Sequence, residues 1–158
     1  MQELQIKVPA TVPRSYPIAI GTGLLPSLWP RIKTTFPKHR PFVVTDANVV
    51  AAGHLAALVA ARPVPHFVIE PPGENSKTIT TAVDMIEAME KACLGRDTVV
   101  VALGGGTVGD MAGFAAAIFK RGVPVIQIPT TTLAQADLVS GGETGVDSSI
   151  SKNAFGAF

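Results

Sequence analysis

Gly104, Gly106 and Gly109 stand at G-x-G-x-x-G spacing directly after the apolar run Val99–Leu103. A run of that kind, continuous rather than alternating, reads as a strand buried on both faces. The small residues beginning near Val108 read as a helix. A glycine turn between strand and helix lets backbone N–H groups approach a phosphate, and the helix start adds unpaired donors and partial positive charge. The chemistry implied is the holding of a nucleotide diphosphate. The match is not that of an ordinary dinucleotide dehydrogenase. The motif follows about the fifth expected strand rather than the first, and between Asp110 and Asp137 there is no Asp or Glu, where a ribose-binding carboxylate is expected about 20 positions on. Asp46, just past the strand Phe42–Thr45, is the candidate carboxylate. Asp46-Ala47-Asn48 reads equally as a helix cap and turn. Pro72–Lys77, PGENSK, follows another strand, and on composition alone it reads as a solvated charged turn. A P-loop fits poorly, because no Gly-Lys-Ser/Thr follows the glycines.

The elements that would position these residues alternate. Strands are expected at Gln5–Val8, Tyr16–Ile20, Phe42–Thr45, Phe67–Glu70, Thr98–Leu103 and Val125–Ile128. Helices are expected at Gly23–Thr35, at Val49–Ala61 with Asn48 as cap, at Lys77–Ala92 with Ile79, Val83, Ile86 and Met89 on its buried face, and at Val108–Lys120. Ala136–Ser151 reads as a loop. Alternation of this kind makes right-handed βαβ units: an α/β fold with a Rossmann-like parallel sheet, helices on both faces and a short N-terminal strand pair. Gly109, Gly113 and Ala117 form a small-residue stripe that would let their helix lie close to the sheet and a cofactor.

The 158 residues suffice for a single domain with a substantial core. Thirteen basic and twelve acidic side chains leave a net charge of +1, which gives no footprint for nucleic acid. No apolar stretch approaches the length of a membrane span. One cysteine, Cys93, excludes a disulfide within the chain and reads as a small apolar residue on a buried helix face. With no leader expected, the sum points to a cytoplasmic protein. Asn153–Phe158 stops in apolar residues, so truncation of a longer protein is expected.

Several segments fall at the same sheet edge: TDANV (Thr45–Val49), PGENSK, GGGTVGDMAGFAAA (Gly104–Ala117), RGV (Arg121–Val123), QIPTTTLAQAD (Gln127–Asp137), GG-TGV (Gly141–Val146) and KN--GAF (Lys152–Phe158). In that order they together resemble the N-terminal half of the 3-dehydroquinate synthases, within the sugar-phosphate cyclases. The resemblance implies NAD contacts at Asp46, Asn48, Glu74, Lys77, Gly105, Gly106, Thr107, Val108, Gly109, Asp110, Thr130 and Thr131. It implies substrate contacts at Arg121, Asp137, Lys152 and Asn153, for a phosphorylated, carboxylated sugar acid. The implied reaction converts 3-deoxy-D-arabino-heptulosonate 7-phosphate to 3-dehydroquinate plus phosphate in aromatic amino acid biosynthesis. NAD is used without net consumption, and a homodimer follows by analogy alone.

The chain departs from that family in three respects. The family's metal ligands, one Glu and two His, belong to an all-helical C-terminal domain absent here, so zinc or cobalt is expected only in a full-length parent. His39, His54 and His66 lack metal-ligand spacing and read as surface or core histidines. Glu143 stands where the family carries lysine, and Asp147 and Ser151 replace its Asn and Gly. Two further readings stay open: a sibling cyclase of the valiolone or deoxy-inosose type, and a non-catalytic module that retains the fold. The isolated chain is expected to be inactive.

Overall fold

The computed structural model describes residues 16–138 and 142–157. After a 3-10 turn at Leu25–Ser27 come α1 (Leu28–Thr35), β1 (Arg40–Asp46), α2 (Ala47–Ala51), α3 (His54–Ala61) and β2 (His66–Ile69). Next are a 3-10 turn at Glu74–Ser76, α4 (Ile79–Lys91), β3 (Thr98–Gly104) and α5 (Gly106–Ile118). A 3-10 turn at Phe119–Arg121, β4 (Val125–Pro129), α6 (Thr132–Ala136), β5 (Thr144–Val146) and β6 (Phe155–Ala157) complete the described chain. The four longer strands form one parallel sheet in the order β2-β1-β3-β4, with Asp46 beside Ile69, Val44 beside Ala102 and Gly104 beside Pro129.

β3 is buried along its whole length, and its side chains divide between two cores. Val99, Val101 and Leu103 pack on one side with Trp29, Ile32, Leu55 and Leu58 from α1 and α3. Val100 and Ala102 pack on the other with Met85 and Met89 of α4 and Met111 and Phe114 of α5. Two-faced burial is the reason the strand reads as an unbroken apolar run. The buried indole of Trp29 donates to the Leu58 carbonyl at 3.0 Å, which satisfies its one polar atom.

Several boundaries differ from expectation. Residues 16–20 form no strand: Tyr16, Ile18 and Ile20 are exposed and have no neighbouring strand among the described residues. The expected partner, Gln5–Val8, lies outside the described residues. The helix expected over 23–35 begins at Leu28, with Pro26 in the preceding turn and Pro30 in the first helical turn, where an N–H has no intrahelical partner to lose. The helix expected over 49–61 is two helices, broken at Gly53 with φ 81°, and Asp46 rather than Asn48 caps the first. On α4 the buried stripe is Ala82, Met85 and Met89, while Ile79 and Val83 are exposed. Cys93, past the end of α4, is exposed at φ 53° and not buried on a helix. The expected loop at 136–151 contains β5, which pairs antiparallel with β6. Three-residue strands rich in Thr and Gly carry no periodic signal, so only the pairing reveals them.

Candidate functional site

The chain goes from β1 to β2 on one side and from β3 to β4 on the other, so the sheet reverses its winding between β1 and β3. Ligands of open α/β sheets bind in the crevice at such a point, outside the carboxyl ends of the strands. Asp46 ends β1 and Gly104 ends β3, so the two lie on either side of that crevice. Asp46 Oδ1 accepts from the Val49 amide at 2.9 Å, the cap reading of this residue, and its second carboxylate oxygen is uncommitted by that bond. Asn48, in the same first turn, is exposed.

α5 starts at Gly106, two residues earlier than expected, and Gly105 is its N-cap with no side-chain cap bond. The first-turn amides of Gly106, Thr107 and Val108 therefore point into the crevice end without an intrahelical acceptor. A Cβ built on Gly106 meets nothing within 4 Å, whereas one on Gly104 would sit 2.6 Å from Val108 Cβ. The turn is open outward and closed inward. The Gly109–Gly113 stripe packs against Gln127, Leu138 and Thr144, so it seats α5 on β4 and β5 rather than on the ligand side. The Thr130 amide donates to the Gly104 carbonyl at 2.9 Å, and Thr131 caps α6 by accepting from the Ala134 amide at 3.2 Å.

Beside this turn lies a charged lattice. Lys77 sits just before the Thr78 cap of α4, and its side chain is only 5% exposed. Its Nζ donates to Asp110 Oδ2 and to Asn153 Oδ1, both at 2.6 Å. Glu74 accepts from Thr107 Oγ1 at 3.2 Å through one oxygen and from Lys152 Nζ at 3.1 Å through the other. The carboxyl of Asp110 is held above its ordinary range: burial is the largest cause, the charges of Glu74 and Asp137 push the same way, and together they outweigh the lowering by the Lys77 ammonium. A cleft of about 710 Å³ opens here, lined by Glu74, Lys77, Thr78, Asp147, Lys152 and Phe155.

The structure thus gathers Glu74, Lys77, Thr107, Asp110, Asp137, Lys152 and Asn153, with Asp46, Gly105, Gly106, Thr130 and Thr131 along the adjoining rim. Val108 and Gly109 are buried and serve the packing of α5. Arg121 is not in the group. It lies past the far end of the 13-residue α5, about 20 Å from the glycine turn. In its 3-10 turn it adopts φ 70° at the amino edge of the sheet. Glu143, before β5, is exposed. Among the described residues no group of three or more His, Cys, Asp or Glu could hold a metal ion, and no helix is long and apolar enough to cross a membrane. Asp147, which stands where the family carries Asn, joins the lattice: its Oδ1 accepts from the Asn153 amide at 2.7 Å and its own amide donates to the Lys77 carbonyl at 2.9 Å. No local signal marks it, because its partners are brought to it by folding.

Strand order, glycine turn and charged lattice together define a doubly wound α/β fold with a candidate ligand crevice at its switch point. The family model 3-dehydroquinate synthase N-terminal matches residues 67–158, more than half of the chain. The chain belongs to the 3-dehydroquinate synthase family. It is 48% identical over 149 residues to the 3-dehydroquinate synthase of Rhodospirillum rubrum, covering 92% of this chain and 38% of that protein. Among solved structures it resembles a 2-epi-5-epi-valiolone synthase from Streptomyces hygroscopicus with NAD+ and Zn2+ bound, at TM-score 0.79 and 30% identity over 96% of this chain and 42% of that one. It also resembles a 2-deoxy-scyllo-inosose synthase complexed with carbaglucose-6-phosphate, NAD+ and Co2+, at TM-score 0.73 and 29% identity over 87% and 39% of the two chains. The chain spans about two fifths of the length of the curated relatives it matches.

Proposed function

We propose that this chain is the NAD-binding part of a 3-dehydroquinate synthase, the enzyme that turns 3-deoxy-D-arabino-heptulosonate 7-phosphate into 3-dehydroquinate and phosphate. The observation that carries the reading is the juxtaposition of an open glycine turn at the start of α5 with the acid at the end of β1, across the switch point of the sheet. The residues present fit the cofactor. The amides of Gly106 and Thr107 suit a diphosphate, Asp46 suits ribose hydroxyls, and the Gly104–Val108 contact keeps the turn tight enough for close approach. Bound NAD supplies a reversible hydride acceptor, and the protein's part is orientation and electrostatics.

The chain's own residues divide the remaining work. Lys152 lines the cleft and, with the side-chain amide nitrogen of Asn153 next in the chain, suits the oxygens of an anionic sugar acid. Lys77 holds Asp110 and Asn153 in fixed directions, so the cofactor side and the substrate side share one ammonium group. Asp137, whose charge acts on Asp110, suits the role of a hydrogen-bond acceptor for sugar hydroxyls at the same edge. A catalytic metal would be held by the remainder of a longer protein, as would the enclosure of the cleft from water.

A second reading is a sibling cyclase, favoured by Glu143, whose carboxylate would repel an anionic substrate where the family carries lysine. Identity of 48% to a dehydroquinate synthase against 30% to the valiolone enzyme supports the first reading. The deciding assay incubates the full-length protein with NAD, metal and each candidate sugar phosphate. Phosphate release from the heptulosonate 7-phosphate, and none from the chain alone, is expected. Turnover of a heptulose or hexose phosphate instead would establish the sibling activity, and turnover by the isolated chain would contradict the assignment of the metal to the remainder.

A further inference from the structure

We propose that Asp147 is a positioning residue that sets Asn153, and with it the substrate side of the site. This rests on the functional reading above. Asp147 follows β5, and Asn153 lies shortly before β6, so the two stand at the base of the hairpin loop 147–154. The carboxylate Oδ1 of Asp147 accepts from the Asn153 backbone amide at 2.7 Å. The Asp147 amide donates to the Lys77 carbonyl at 2.9 Å, and residues 78 and 147 form an isolated parallel bridge. Lys77 Nζ then returns to Asn153 Oδ1 at 2.6 Å. Three hydrogen bonds thus close a triangle through Asp147, Lys77 and Asn153.

The triangle explains an otherwise unfavourable backbone. Asn153 has φ 51°, in the left-handed region that asparagine tolerates better than most residues. The 2.7 Å bond to a carboxylate holds it there, and charged acceptors make the stronger hydrogen bonds. The rest of the loop is tied by Ser148, whose Oγ accepts from the amides of Ile150 and Ser151 at 3.1 and 3.0 Å and whose own amide donates to the Ser151 carbonyl at 2.9 Å. Those bonds shape the tip without reaching Lys77. Asp147 alone, among the described residues, joins the loop to both Lys77 and Asn153. The bond to Asn153 needs an acceptor at Oδ1, not a charge, so asparagine can serve there and alanine cannot.

The test compares Asp147→Ala and Asp147→Asn in the full-length protein, with steady-state kinetics and amide hydrogen exchange read on the same samples. Asp147→Ala is expected to raise KM for the heptulosonate phosphate about 10-fold while moving KM for NAD less than about 2-fold, and to speed exchange at the Asn153 amide at least about 10-fold; that factor corresponds to about 1.4 kcal/mol. Asp147→Asn is expected to restore both to within about 3-fold. Equal damage in the two variants, or equal rises in both KM values, would overturn the positioning role. So would an Asn153 amide that exchanges at loop rates in the unmodified protein. If the unmodified protein does not turn over the heptulosonate phosphate, the functional reading fails and the exchange rates alone decide the role of Asp147.

Discussion

The glycine rim and the lysine lattice sit side by side and are built by opposite means. The rim is backbone: a strand end, a tight turn and a helix start contiguous in sequence from Val99 to Asp110. The lattice is side chains gathered from afar, since Lys77 reaches across 33 residues to Asp110 and across 76 to Asn153. A backbone site tolerates most side-chain changes around it and fails when its shape is filled. A side-chain site fails when one partner is removed, because the others are left buried and unpaired.

That contrast sets the order of expected effects. The largest belongs to Lys77→Met. Removing a 5%-exposed ammonium strands Asp110 and Asn153 Oδ1, and urea unfolding of the chain should show a loss of about 3 kcal/mol. A loss under about 1 kcal/mol would mean that the lattice contributes little and that the contrast with the rim is overstated.

Asp110 sharpens the same point through pH. Its folded-state carboxyl lies above the ordinary value of 3.8, so ionising it costs more in the folded chain than in the unfolded one. The stability it confers is present at pH below that ordinary value and is lost as pH rises through the raised one. The stability of the unmodified chain relative to Asp110→Asn should therefore fall as pH increases across the acid range and level off above it. A difference that rises with pH would show that the Lys77 charge outweighs burial.

The smallest effect separates two roles of one rim residue. Asp46→Ala should cost about 1 kcal/mol through loss of the cap on α2, whereas Asp46→Asn should keep stability, because asparagine caps as well. If the carboxylate also holds ribose hydroxyls, Asp46→Asn should weaken NAD binding by about 10-fold, or about 1.4 kcal/mol, at unchanged stability. Unchanged affinity in calorimetry would leave Asp46 a cap and nothing more.

The same division explains what the sequence disclosed. The strand–glycine–helix pattern at 99–118 is local, so its place at the sheet's carboxyl rim was legible from residue types alone. The alternation of elements was legible for the same reason. The lattice was not: PGENSK read as a solvated turn, and only folding puts Lys77 in a buried site between α5 and the hairpin. Its residues were named through family resemblance, without their mutual contacts. Arg121, which the resemblance names with the substrate contacts, stands apart from the lattice, because α5 carries it to the opposite edge of the domain. Boundaries moved where glycine or proline acts through its exact position in a turn, as at Gly53 and Pro26.

The central claim is that the amides opening α5 hold the diphosphate of NAD. Amide chemical-shift mapping of the isotopically labelled chain during an NAD titration tests it residue by residue. Saturable shifts should concentrate at Gly105–Thr107, with smaller ones at Asp46–Asn48 and Thr130–Thr131, while amides at the opposite edge, near Arg40 and Arg121, stay still. Shifts confined to that opposite edge, or none at saturating NAD, would contradict the account.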